Sequence, residues 1–162
     1  MRKLNTEKQD STKRQRLGCI ALVIVLAGGL SLVAIGTFRL NAIVQEFEAR
    51  FEPPEWQRID GKAVERTTPI DTPTLIFSKE TNLAGANADI AILGGDAVLH
   101  GEYSGNVFFL GRNFDLAEDG LIKGNLEITG ARHVTLRGVV EGSLSGAWDR
   151  LFSKGTRTDS SP

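Results

Sequence analysis

The chain has 162 residues, 41% hydrophobic and 24% charged, with 19 Lys+Arg against 20 Asp+Glu and a net charge of -1. Balanced charge without a basic-aromatic patch argues against a nucleic-acid partner. The single cysteine, Cys19, excludes an intramolecular disulfide and any multi-cysteine metal site.

Residues 1–16 form a basic tail. Leu17–Phe38 follows as 22 residues without a charge, LGCIALVIVLAGGLSLVAIGTF, bracketed by Arg16 and Arg39. At about 1.5 Å per residue this run spans roughly 33 Å as a helix, enough to cross a hydrocarbon core. It exceeds the apolar stretch of a cleaved signal peptide, so it reads as an uncleaved transmembrane helix and membrane lipid as a partner. Arg2, Lys3, Lys8, Lys13, Arg14 and Arg16 precede it, whereas Glu46, Glu48, Glu52 and Glu55 dilute the basic residues that follow. The positive-inside rule then places the N-terminus in the cytoplasm and the rest of the chain outside. Leu40, Ile43, Val44, Phe47 and Phe51 recur at helical spacing and predict a juxtamembrane amphipathic helix over 39–52. Such a helix could self-associate, lie on lipid or pack on its own domain. Pro53 and Pro54 end it. The polar stretch 53–73 reads as a linker.

Residues 74–152 read as one domain, and from Thr74 to Gly146 the chain repeats. Gly101-Glu-Tyr-Ser-Gly-Asn-Val-Phe-Phe-Leu-Gly111 aligns with Gly120-Leu-Ile-Lys-Gly-Asn-Leu-Glu-Ile-Thr-Gly130, and Gly138 opens a third copy with Ser143 in place of Asn. Upstream, Asp89–Gly94 matches Asn106–Gly111, and Leu75 and Phe77 start a more degenerate copy. Each repeat holds three short strands with inward apolar positions, among them Ile90, Ile92, Ala97, Leu99 and Tyr103 in one repeat. Glycines fall at the corners, where a Cβ is unwelcome. This pattern predicts an all-β fold: a short right-handed or irregular β-helix of about four triangular coils. Leu144 ends the inward series. Trp148, Leu151 and Phe152 then form either a cap on the chain itself or, together with Leu144, a surface for self-association through an open coil end. Residues 153–162 read as a disordered tail.

No catalytic constellation emerges. His100 and His133 fall at phases that are polar in the other repeats, and a zinc site of carbonic-anhydrase type would need a third histidine. A small acyltransferase using either histidine is the least favoured reading. The glycines follow corner spacing, not the spacing of a phosphate-binding loop. No enzyme activity, cofactor or metal is expected. Asn106 and Asn125 share a phase and predict a side-chain ladder along one corner.

The segment IAILGGDAVLHGEYSGNVFFLGRNFDLAEDGLIKGNLEITGARHVTLRGVVEGSLSG resembles the bactofilin, or polymer-forming cytoskeletal, domain of bacteria. The resemblance implies a short right-handed β-helix that polymerises end to end without nucleotide. It also implies association with the bacterial inner membrane and a part in organising cell shape and wall machinery. A C-terminal aromatic contributes to polymerisation in that family, and Phe152 is the nearest match here. The domain looks shorter than is usual there, and family members work in the cytoplasm, whereas the charge rule puts this domain outside. The expected function is thus a single-pass, membrane-anchored, bactofilin-like scaffold. Its expected partners are itself, lipid and cell-envelope proteins. The alternative is a monomeric β-helix binding or accessory module of a membrane complex.

Overall fold

The computed structural model describes residues 41–51 and 55–154. The basic tail, the span Leu17–Phe38 and residues 155–162 lie outside the described residues. Among the described residues, no helix is long and apolar enough to cross a membrane.

Residues 41–49 are helical, and nine strands follow. They wind as a parallel solenoid of about six coils. Coil one is β1 (Gln57–Arg66), coil two β2 (Thr74–Ala86) and coil three β3 (Ile90–Tyr103). Coil four divides into β4 (Val107–Leu110), β5 (Asn113–Leu116) and β6 (Leu121–Ile122). Coil five is β7 (Leu126–Leu136) with β8 (Val139–Val140), and coil six is β9 (Leu144–Ser153). Every pairing between strands is parallel and joins one coil to the next. Thr74 pairs with Ile90, 16 residues on, and Leu110 with Gly130, 20 residues on. Coil three shows the three-sided plan. Its Ile90, Asp96 and Glu102 pair in turn with Val107, Asn113 and Leu121, one on each wall.

Alternation along the strands fills the interior. Ile92, Leu99, Tyr103, Phe109, Phe114, Leu126 and their neighbours form one buried column. Every inward residue expected between Ile90 and Val140 is buried in it, and Leu144 is partly covered. Tyr103 is the largest, and its hydroxyl donates to the Leu83 carbonyl at 3.0 Å. Burial pushes that hydroxyl's pKa well above the usual phenol range. A corner ladder runs beside the column. The Asn106 N–H donates to Asp89 Oδ1 at 2.7 Å, the Asn125 N–H to Asn106 Oδ1 at 3.0 Å and the Ser143 N–H to Asn125 Oδ1 at 2.9 Å. At another corner the backbones close to a distance only glycine permits. A Cβ on Gly94 would sit 1.6 Å from the Ser78 carbonyl oxygen.

Four sequence expectations change. The four coils become about six, because one more lies at each end. The stretch 53–73, expected as a linker, carries β1 and a bridge from Ile70 to Ala86. As an end coil, β1 needs only Ile59 and Val64 as apolar inward residues, too few to show a period. The expected cap 147–152 is strand, with Ala131 paired to Trp148 and Val134 to Leu151.

The fourth change concerns parity. Thr74 pairs with Ile90 and Ile76 with Ile92, so Thr74 and Ile76 are the inward residues of coil two. Leu75 and Phe77 face outward instead, as do Ala91, Leu93, Phe108 and Leu110 above them. These residues form a second core with Val44, Phe47 and Phe51 of the helical segment and with Trp56. A one-residue shift in a strand sends each side chain to the other face. Here both faces of the first wall are apolar, so parity alone could not choose.

The helical segment thus packs on its own domain. Phe51 meets Phe47, Trp56 and Phe108 at ring separations of 4.9, 4.7 and 4.9 Å. Ion pairs fasten it on two sides: Glu48 to Arg58 of coil one at 3.3 Å, and Arg50 to Glu127 of coil five at 2.6 Å. Both cores and all strand pairings lie within residues 44–154.

Candidate assembly surface at the coil ends

A solenoid has two mouths, and each must finish a column of apolar side chains. At the first mouth the column ends in polar residues. Gln57 continues the position of Thr74, and Arg66 continues that of Leu83. Together with Ile59, Thr68, Ile70 and Thr72 they line an open cavity of about 290 Å³. Its rim is internally bonded, with Thr72 Oγ1 3.2 Å from Gln57 Oε1 and Asn87 Nδ2 donating to Asp71 Oδ1 at 2.6 Å.

The second mouth is apolar. Leu144 pairs with Leu126, Trp148 with Ala131 and Leu151 with Val134. All three pack against the column from above and remain half-covered. Four candidate residues were expected to work together, and the structure brings together these three. Phe152 is apart from them. It pairs with Thr135, an outward position of the second wall, and is 61% exposed on the side of the stack.

Both outer strands carry free edges. Among the described residues β1 pairs only with β2, and β9 only with β7. Unpaired backbone donors and acceptors on an edge strand are a template for another strand. Edge and apolar mouth coincide only at coil six. The edge of β1 has a different character, with Arg58, Asp60, Lys62, Glu65 and Arg66 along it.

The two histidines lie apart from both mouths. His100 Nδ1 is 3.0 Å from Asp119 Oδ1, and this contact holds the Asp119 carboxyl below its usual range. His133 Nδ1 is 3.0 Å from Asn113 Oδ1. Among the described residues, neither ring is bonded to a hydroxyl or thiol, and no group of three metal-ligating side chains converges. The second wall is instead laced by charge pairs between coils. Arg112 grips Asp96 through two bonds of 3.0 and 2.7 Å, which lower that carboxyl's pKa, and Arg137 grips Asp115 in the same way at 3.2 and 2.7 Å.

Sequence reasoning missed the free edge of β1 and the polar finish of the first mouth. The usable signal was weak: Ile59 and Val64 five residues apart, followed by Ile70. No family model matches the chain, and no curated protein or solved structure matches it.

Proposed function

We propose that this chain is a non-enzymatic scaffold of bactofilin type, a right-handed β-helix that self-associates through the apolar mouth of its last coil. In this reading Leu17–Phe38 holds it in the bacterial inner membrane as a single-pass protein. The basic tail stays in the cytoplasm and the β-helix lies outside, where it contributes to envelope organisation or cell shape. One observation carries the reading. Among the described residues, Leu144, Trp148 and Leu151 pack on the column from below and have no coil above them, and their strand also carries a free edge. A second copy placed there would bury the apolar side chains and pair the strand edge in one step. No nucleotide or cofactor takes part.

Light scattering of residues 41–162 across a concentration series tests this. The expected result is growth of the particle with concentration and no response to nucleotide. Leu144→Asp should abolish growth, whereas Phe152→Asp, on the side of the stack, should leave end-on association intact. A particle that stays monomeric at every concentration sinks the proposal. Protease protection of the full chain in membrane vesicles tests the anchor and the side on which the domain lies.

A further inference from the structure

The corner between the first and second walls carries a column that end-on association does not use. Lys62, Lys79, Gly95, Arg112 and Arg132 follow one another up this corner, one per coil. The pairs on either side fix their alignment: Gly61 with Ser78 and Ala63 with Glu80, then Ser78 with Gly94 and Glu80 with Asp96. Higher up, the Arg112 N–H donates to the Gly95 carbonyl at 2.7 Å and the Arg132 N–H to the Arg112 carbonyl at 2.8 Å. All four cationic side chains are exposed. Arg112 is paired with Asp96, while Lys62, Lys79 and Arg132 have no carboxylate partner among the described residues. At about 4.8 Å per coil the ridge is roughly 19 Å long. It stands out from an acidic background, since residues 55–154 hold 10 Lys+Arg against 14 Asp+Glu.

We infer that this ridge docks on an anionic lipid surface and lays the coil stack lengthwise along the bilayer. The inference rests on the reading of Leu17–Phe38 as the anchor. By sequence, six steps separate Phe38 from Val44, the first helical residue packed on the first wall. Even fully extended, those steps reach only about 20 Å. In this reading the wall that borders the ridge is on a tether of at most about 20 Å from the end of the anchor. The shape of the site selects the partner as well. A corner is convex and has no groove to clamp a flexible polyanion, whereas a flat array of headgroup phosphates meets all four cations at once. Each lysine or arginine near such a surface adds about 1 kcal/mol, a factor of about five in partitioning, and salt screens it. The tether raises the local concentration at cellular salt, whereas at low salt and excess lipid the unscreened contact should hold without it.

The test uses residues 41–162, which contain both cores, with sedimenting vesicles. One set is phosphatidylcholine alone and the other is half phosphatidylglycerol. The fragment should sediment with the phosphatidylglycerol vesicles at low ionic strength, stay free with phosphatidylcholine, and be released by salt. The triple variant Lys62→Ser, Lys79→Ser, Arg132→Ser should lower partitioning about 100-fold. It should keep the circular dichroism of the parent, because the three side chains are exposed. A charge-matched triple elsewhere, Arg66→Ser, Lys123→Ser, Lys154→Ser, should bind nearly as the parent does. Three outcomes overturn the inference: no sedimentation at low salt, equal loss in both triples, or polyphosphate bound as tightly per phosphate as the vesicles. The fragment lacks residues 17–38, so these outcomes are independent of the anchor itself, which protease protection decides.

Discussion

The two mouths of the coil stack finish the same apolar column in opposite ways. At the first, Gln57 and Arg66 replace apolar side chains with groups that water can solvate, and Arg58 is held by Glu48 of the helical segment. At the second, Leu144, Trp148 and Leu151 rest on the column with no coil above them among the described residues. One end is closed chemically, and the other is the end proposed to take a partner. Apolar content alone does not distinguish structure from interface. The distinction lies in whether each side chain is covered from one direction or two. The first wall makes the same point, because its outward Leu75, Leu93 and Leu110 are buried by the chain's own helix.

The largest effect should come from removing that cover. Phe47 is 1% exposed in the second core, and Phe47→Ala should cost about 3–5 kcal/mol in urea unfolding of residues 41–162. A much smaller cost would mean that the helical segment is an ornament on the first wall. Next comes the open mouth. Trp148→Ala should weaken self-association by about 2 kcal/mol or more, read by sedimentation velocity. The converse experiment makes the first mouth resemble the second. Gln57→Leu with Arg66→Leu should add a second adhesive end and turn limited oligomers into longer ones, visible by electron microscopy. If particle length is unchanged, polarity is not what closes that mouth.

A smaller effect should follow from Gly146→Ala. Gly146 has φ +126°, and a Cβ there would sit 1.9 Å from the Ile128 carbonyl oxygen. The strain, about 1–3 kcal/mol, should loosen coil six while coils two to five hold. Hydrogen exchange would then quicken in β9 alone. The smallest effect concerns Arg50 and Glu127. Both side chains are partly exposed, so a double-mutant cycle should give a coupling of only about 0.2–1 kcal/mol. The Arg50 hydrogen bond lowers the Glu127 pKa below its unfolded value. The contribution is therefore fully present above that unfolded value, about 4.3. It fades as pH falls through the lower folded value. A coupling that persists unchanged in strong acid would contradict the ion pair.

Much of the middle of the molecule was legible in the sequence. The alignment of Gly101–Gly111 with Gly120–Gly130 reproduces the pairing of Val107 with Leu126 and Phe109 with Ile128. The match of Ala97 and Leu99 with Phe114 and Leu116 is likewise the observed register. These positions repeat because each inward side chain has a neighbour above and below that restricts it. The ends were illegible for the opposite reason. β1 has a neighbour on one side only, so Gln57, Gly61 and Arg66 can depart from the apolar rule without cost to the column. β9 breaks the rhythm through the register shift between Ile128 and Ala131. In coil two, Leu75 and Phe77 suggested the wrong parity because a segment distant in sequence covers the other side of the wall. Among the candidate assembly residues, only Leu144 could be placed by phase, because Trp148, Leu151 and Phe152 all follow that shift. The sideways position of Phe152 depends on that same shift.

The helical strap also governs how the protein can be handled. A fragment cut to begin after Pro54 keeps every coil yet strips the first wall bare, exposing Leu75, Phe77, Leu93, Phe108 and Leu110 as one greasy panel. Such a fragment would stick side to side, and the resulting tangles would be mistaken for the proposed growth from the coil mouth. Fibres from a trimmed chain therefore count as evidence only when the strap travels with the coils.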